Sequence, residues 1–120
     1  MDLISKLVDV LEVERKNGKF AEIDESLIIK ARETVKQLES RWLELSDIEQ
    51  DQLRTLKRLL WQIYQRRASK LVKLAMLTSF DYDEVELPHH ILEQESQFFR
   101  QIKTILAELK AFYLGGNGYE

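Results

Sequence analysis

Two adjacent histidines are the first candidates for chemistry in this chain of 120 residues. His89 and His90 are its only histidines, and Glu93 and Glu95 follow them closely. Helical metal sites place their ligands three or four residues apart on one face, whereas neighbouring residues point in different directions. The chain contains neither His-Glu-x-x-His nor the two helical Glu-x-x-His motifs of di-iron proteins. We therefore interpret the two as solvated histidines at a helix start and predict no metal site.

Carboxylates also occur in pairs, which is the pattern of general acid–base sites. Glu12 and Glu14 point to different sides of a helix, and Asp81 and Asp83 belong to an acidic connection. Nothing near either pair builds the pocket that would shift a pKa. The chain has no cysteine, no glycine-rich loop before a helix and no serine with a partnered histidine. The sequence therefore predicts a non-enzymatic protein without catalytic residues or cofactor.

A charged residue interrupts the apolar stripe of each of two predicted helices. Arg67 lies in the stripe of the third helix, and Glu95 lies in the stripe of the fourth. A buried charge is costly unless it is paired, and a connection of about nine residues favours antiparallel packing of these helices. We predict a structural ion pair between Arg67 and Glu95, direct or through a backbone carbonyl, with Glu14 as a competing acid. In the alternative, Arg67 extends along the helix edge to reach water.

Basic residues are frequent on the third helix, but on a helical wheel they do not form one stripe. The net charge of −3 gives the chain no overall attraction to nucleic acid. Solvated faces or acidic protein partners are therefore the favoured interpretation, and direct DNA contact is left open. The basic residues are Arg54, Lys57, Arg58, Arg66, Arg67, Lys70 and Lys73.

These charged residues are positioned by one long predicted helix, residues 46–79. Ser46 and Glu49 have the spacing of a capping box, in which each side chain binds the other residue's backbone N–H. No glycine or proline interrupts the segment, and at about 1.5 Å per residue it spans roughly 45–50 Å. Its stripe, at steps of three or four residues, comprises Leu53, Leu56, Leu60, Ile63, Arg67, Leu71 and Leu74.

Three further helices are predicted, over about residues 2–16, 24–45 and 89–113, and Asp2 and Asp24 are the expected caps of the first two. One proline and four glycines are too few for the turns of a sheet, and no apolar run is long enough to span a membrane. The predicted fold class is all-α, an elongated bundle of about four to five helices with one long central helix. We expect a helical domain over residues 1–114 and a glycine-rich linker start or tail over residues 115–120.

The apolar arcs of the last two helices are wider than one stripe requires. In the fourth helix, Phe98 and Phe99 are adjacent, and so are Ile105 and Leu106. A wide arc in a small bundle indicates burial on two sides, one in the core and one at a subunit interface. Alternatively, the adjacent residues straddle a single stripe. The predicted interface residues are Lys70, Leu71, Leu74, Phe98, Phe99, Ile105 and Phe112.

Two segments resemble a known family. The run Arg67-Ala68-Ser69-Lys70-Leu71 on a long helix is similar to the R-x-x-K-apolar signature of the GINS complex helical domain. The segment from Ile91 to Phe99 resembles the start of that family's next helix, with a leucine, an acid and then an aromatic pair. The resemblance is to the class of subunit whose helical domain comes first, and the short connections and high charge resemble archaeal members.

The resemblance implies a scaffold that is not an enzyme. GINS-like proteins assemble as homo- or heterotetramers through these helical domains. They join the MCM helicase to a RecJ-like (Cdc-type) partner and stimulate DNA unwinding at the replication fork. In this class a small β-rich domain follows through a linker, which would begin at Gly115–Gly118, and that domain is absent from these 120 residues. The implied location is the cytoplasm, at the nucleoid, in an archaeon, or the nucleus in a eukaryote.

Two other classes of function are compatible with the residues. One is a generic helical adaptor that binds another helix in a groove. The other is a small all-α enzyme of the chorismate-mutase kind, in which Arg32, Arg67 and Lys70 would point inward to hold a dianion. Mass in solution separates the classes, because a strict monomer counts against a GINS subunit, and stabilisation by a small dicarboxylate favours the enzyme.

Overall fold

The computed structural model describes residues 2–16, 18–78 and 87–115, and these residues form helices and connections without a strand. The predicted all-α class is confirmed, and so is the long helix, which is α3. The acidic connection predicted over residues 80–88 and the glycine-rich tail lie largely outside the described residues. The helices are α1 (Leu3–Glu14), α2 (Glu25–Ser40), the short 3-10 helix η1 (Trp42–Glu44), α3 (Asp47–Thr78) and α4 (Glu93–Leu114).

Side-chain caps begin the first three α-helices where the sequence predicts them. An Asp2 carboxylate oxygen accepts from the Ser5 backbone N–H at 2.7 Å, and Asp24 accepts from Ser26 at 3.0 Å. Ahead of α3, the Ser46 hydroxyl accepts from the Glu49 N–H, and Glu49 accepts from the Ser46 N–H, both at 3.2 Å. These bonds satisfy backbone donors that have no partner within the helix.

The capping bonds also lower three pKa values. The backbone N–H of Ser5 holds the pKa of Asp2 below its ordinary 3.8, and the N–H of Ser26 does the same for Asp24. The pKa of Glu49 is lowered from 4.5 chiefly by the Ser46 N–H and then by the guanidinium of Arg41. In each case the donor favours the ionised carboxylate.

We expect acid to weaken these helix starts. Because folding lowers the three pKa values, their contribution to stability is complete above about pH 4.5 and is lost as the pH falls below 3.8. Thermal melts followed by far-UV circular dichroism should therefore shift downward in that range. Asp24→Asn keeps a capping oxygen but cannot titrate, so this variant should lose less stability on acidification. An unchanged acid dependence in the variant would contradict the assignment.

The second helix ends earlier than its apolar spacing predicts. We expected it to reach about Leu45, but α2 ends at Ser40 and η1 follows. The last turn tightens, since the Arg41 N–H bonds to the Leu38 carbonyl three residues back at 3.1 Å. The chain then becomes extended at Leu45, which is buried. Trp42 is exposed, although it follows the buried Leu38 by four residues, the spacing of one helical face.

The chain divides into two compact units, Met1–Arg66 and Arg67–Glu120, with the boundary inside α3. The core of the first unit comes from α1, α2 and the part of α3 before the boundary, and includes Leu7, Leu11, Ala31, Leu38, Leu56 and Ile63. Within the second unit, Arg67, Leu71, Ala75 and Phe99 are buried. In the described residues, no helix has the length and apolar character needed to cross a membrane.

The buried stripe of α3 differs from its prediction at two positions. Leu59 and Ala75 are buried, whereas Leu60 and Leu74 are only half-buried. From Leu59 onward, every fourth residue of α3 is buried. The prediction mixed steps of three and four residues, and it therefore placed Leu60 and Leu74 in the stripe. Leucines at both 59 and 60 make the two registers equally apolar in sequence.

Candidate assembly site

The two charges that interrupt the predicted stripes lie together in the second unit. Arg67 Nε lies 2.7 Å from Glu95 Oε2, and Arg67 Nη2 lies 2.7 Å from Glu95 Oε1. This is the bidentate geometry in which a guanidinium and a carboxylate bind most strongly. The Arg67 side chain is 3% exposed and that of Glu95 is 19% exposed. Arg67 therefore does not extend to water, and its charge is compensated inside the protein.

Arg67 also binds the turn that precedes α4. Its Nη2 donates to the His90 carbonyl at 2.9 Å, and His90 has a left-handed backbone with φ of 70°. We predicted a helix from about His89, but α4 begins at Glu93. In that longer helix the His90 carbonyl would accept from the N–H four residues later. The positive φ of His90 is incompatible with that helix, and the His90 carbonyl accepts from Arg67 instead.

Glu95 supplies one half of a capping box at the start of α4. The residue before the helix is Leu92, which has no side-chain acceptor, and the Glu95 carboxylate accepts from the Leu92 N–H at 3.0 Å. One carboxylate therefore serves the backbone donor of Leu92 and the guanidinium of Arg67. The sequence pattern cannot reveal that one carboxylate makes both contacts, because either contact alone would explain an acidic residue at position 95.

Glu14, the competing acid of the sequence analysis, has a structural role in the first unit. It is fully buried, and its carboxylate accepts from the Ala21 backbone N–H at 2.7 Å. This bond ties the connection after α1 back to the end of α1. Glu14 follows the buried Leu7 and Leu11 at steps of four and three and so lies on the same face of α1, but the sequence did not indicate the backbone N–H that it binds.

The predicted interface residues separate into buried and exposed groups. Leu71 and Phe99 belong to the core of the second unit, so we remove them from the interface prediction, since a buried side chain offers no surface to a partner. Leu71 follows Arg67 by one turn on the same face, which explains its burial. The half-buried positions are Lys70, Leu74 and Phe98, and the exposed positions are Ile105 and Phe112.

Exposed apolar side chains form a stripe along the outer side of α4. Ile105, Leu109 and Phe112 recur at steps of four and three and therefore share one face. We call these three residues the α4 stripe. Phe112 is 79% exposed, and the other two are each more than half exposed. Leu109 was not among the predicted interface residues, so the exposed face is wider than expected. Contiguous apolar surface of this kind marks sites of protein association.

Exposed apolar residues also occur in the first unit, where the sequence analysis placed no interface. Leu43 and Ile48 flank the start of α3, and Trp61 and Tyr64 pack with ring centroids 5.4 Å apart on its outer side. Apolar content alone did not identify them, because an exposed leucine and a buried leucine have the same hydropathy.

The mutase alternative requires arginines that point inward and are available to a dianion. Arg32 is exposed on α2, and the buried guanidinium of Arg67 already binds the Glu95 carboxylate. Neither arginine therefore meets both conditions. His89 and His90 are exposed in a turn rather than at a helix start.

The Sld5 family model, described as the GINS complex protein helical bundle domain, matches residues 20–112. This range includes α2, α3 and most of α4, and it is well over half of the chain. No curated protein and no solved structure matches the chain significantly.

Proposed function

Because the chain belongs to the GINS helical bundle domain family, we propose that it is a scaffold subunit that joins the MCM helicase to a RecJ-like (Cdc-type) partner and stimulates unwinding. The family consists of non-enzymatic subunits of a DNA replication complex, and membership implies association with other GINS subunits. The match to the family model over residues 20–112 is the observation that carries the proposal.

The α4 stripe supports the proposal as a surface for a neighbouring subunit. A helix of a monomer normally keeps residues such as Phe112 and Ile105 inside, and here both are exposed. Interfaces between subunits concentrate aromatic and aliphatic side chains in their centre and exclude charge from it. In this proposal the α4 stripe occupies the centre of an interface with a second GINS subunit. Half-buried Phe98 and Leu74 and the nearby Lys70 contribute to the same interface.

The ion pair between Arg67 and Glu95 has a positioning role in the proposal. It connects α3 to the start of α4, the helix that bears the stripe. A buried pair contributes less to stability than to the choice of one register, because desolvation offsets most of its attraction. The pair would therefore hold α4 in the one position that presents the stripe to a neighbour.

The proposal extends to the domain organisation and the location. α4 ends at Leu114, and Gly115 follows with φ of 80°, a conformation that glycine adopts without strain. We propose a linker from Gly115 to a small β-rich domain that shares the contacts with fork proteins. The protein would act at the chromosome, which lies in the nucleoid of an archaeon or in the nucleus of a eukaryote.

Reconstitution of the replication fork tests this function. The chain, purified MCM helicase and the RecJ-like protein from the same source would be combined with a forked DNA labelled for unwinding. We expect the three proteins to co-elute, and unwinding by the helicase to rise severalfold when the chain is added. The chain without helicase should unwind nothing. Failure to co-elute with either partner, together with unchanged unwinding, would contradict the proposal.

A further inference from the structure

A second apolar surface lies at the turn between α2 and α3. It consists of Trp42, Leu43 and Ile48, which we call the turn patch. Leu43 is 94% exposed, and the other two side chains are more than half exposed. Single exposed leucines are ordinary, but three large apolar residues within seven positions of the chain, one of them a tryptophan, are typical of a protein contact.

The turn patch is carried by a backbone that is held in place. Arg41 Nη2 lies 3.0 Å from Glu49 Oε2, so an ion pair joins the two ends of the segment that contains the turn patch. Inside the segment, Glu49 also accepts from Ser46, and Leu45 is buried in the core of the first unit. The patch is therefore organised before any partner binds, and binding does not have to order it. Such preorganisation favours affinity, because less conformational entropy is lost on association.

The charges beside the turn patch indicate the chemistry of the partner. Glu44 and Asp47 are exposed next to the patch, and neither forms an ion pair with a residue that the structure describes. Two cations on the following part of α3 already have acidic partners, since Arg54 pairs with Asp51 and Lys57 pairs with Glu39. A complementary partner surface is apolar and bordered by lysine or arginine.

The second unit of the same chain carries a surface of that kind. Val72, Met76 and Leu77 are exposed near the end of α3, and Lys73 is exposed among them. Residues four apart lie above one another on a helix, so these four side chains are contiguous. We call these four residues the α3 patch.

We propose that the turn patch of one copy of this chain docks against the α3 patch of a second copy. The apolar side chains meet in the centre, and Glu44 and Asp47 approach Lys73 at the border. The inference rests on the proposed function, in which chains with this domain associate. The two patches are distinct from the α4 stripe, and a second kind of contact allows a closed assembly larger than a dimer.

Sedimentation of the full chain tests the docking. Leu43→Asp should weaken self-association by about tenfold or more, as expected for an apolar residue at the centre of a contact. Ile29→Asp is the matched control, because Ile29 is a partly exposed apolar residue of the first unit outside both patches. Glu44→Lys and Lys73→Glu should each weaken the assembly, and the chain with both changes should recover it, since the charges then match again.

Recovery in the doubly changed chain, with an unaffected Ile29→Asp control, supports the inference. If the single changes weaken the assembly and the double change does not restore it, the inference is overturned, because the turn patch would then bind a different partner. An unchanged mass for Leu43→Asp also overturns it, and if Phe112→Asp lowers the mass in the same experiment, the proposed function still stands. A wild-type chain that stays monomeric at high concentration overturns the docking, and the helicase reconstitution then decides the proposed function separately.

Discussion

Replacement of Arg67 with methionine is expected to lower the free energy of unfolding by about 3 kcal/mol. The guanidinium donates to both carboxylate oxygens of Glu95 and to the carbonyl oxygen of His90. The substitution removes this donor from all three oxygens. The carboxylate of Glu95 is largely buried, so water cannot fully replace the lost donor. The expected loss is at the lower end of the range for broken buried pairs, because Glu95 keeps some exposure and its bond to the Leu92 N–H. Denaturant unfolding at fixed protein concentration measures the change.

The same chain offers a matched control and a double-mutant cycle. Arg54→Met breaks the ion pair with Asp51, whose two side chains are 76% and 75% exposed, and should cost less than about 1 kcal/mol. Adding Glu95→Gln to Arg67→Met removes the uncompensated charge, so the double variant should be more stable than the sum of the single changes predicts. Simple additivity of Arg67→Met and Glu95→Gln would rule out an energetic coupling between the two side chains.

Aspartate at Phe112 is expected to dissociate the assembly while the chain stays folded. Phe112 is the most exposed residue of the α4 stripe, so the substitution removes little internal packing. At a subunit interface, however, the carboxylate would be transferred from water to an apolar contact. Loss of a central aromatic residue there costs about 2 kcal/mol or more, which weakens association roughly thirtyfold. Ile105→Asp should act in the same direction.

Light scattering coupled to gel filtration measures this loss of mass, and circular dichroism checks that the helices persist. Ala107→Asp is the matched control, because Ala107 is exposed on the same helix and lies roughly 160° around it from Ile105. The control should keep the wild-type mass and melting temperature. If Phe112→Asp and Ala107→Asp give the same mass as the wild type, the α4 stripe is not a subunit interface.

Local chemistry explains which parts of the fold were predictable. The starts of the first three α-helices were predictable from Asp2, Asp24 and the Ser46–Glu49 box, because the capping bonds of these residues are confined to one helical turn. The long α3 follows from the absence of any glycine or proline between its ends. Arg67 and Glu95 stood out because a charge in an apolar stripe needs a partner. Each of these inferences uses neighbours that are close in sequence, or a cost that holds in any fold.

The features that the sequence did not reveal depend on contacts between distant segments. The residue types do not show whether Leu59 or Leu60 is buried, because both are leucines. The packing of the first unit decides that Leu59 is the buried one. The early end of α2 exposes Trp42, although its spacing continues the stripe of that helix. In the turn before the late start of α4, the His90 carbonyl accepts from Arg67, which lies 23 positions earlier. Periodicity cannot report contacts of this range.

The double use of the Glu95 carboxylate has a consequence for the formation of α4. A helix must form its first turn before growth becomes favourable, and that step is slow and costly. In α4 the Leu92 N–H depends on Glu95, and the orientation of Glu95 depends on Arg67 of α3. Nucleation at this end of α4 is therefore tied to a residue 28 positions earlier. The first turn of α4 and the tertiary contact with α3 therefore stabilise each other.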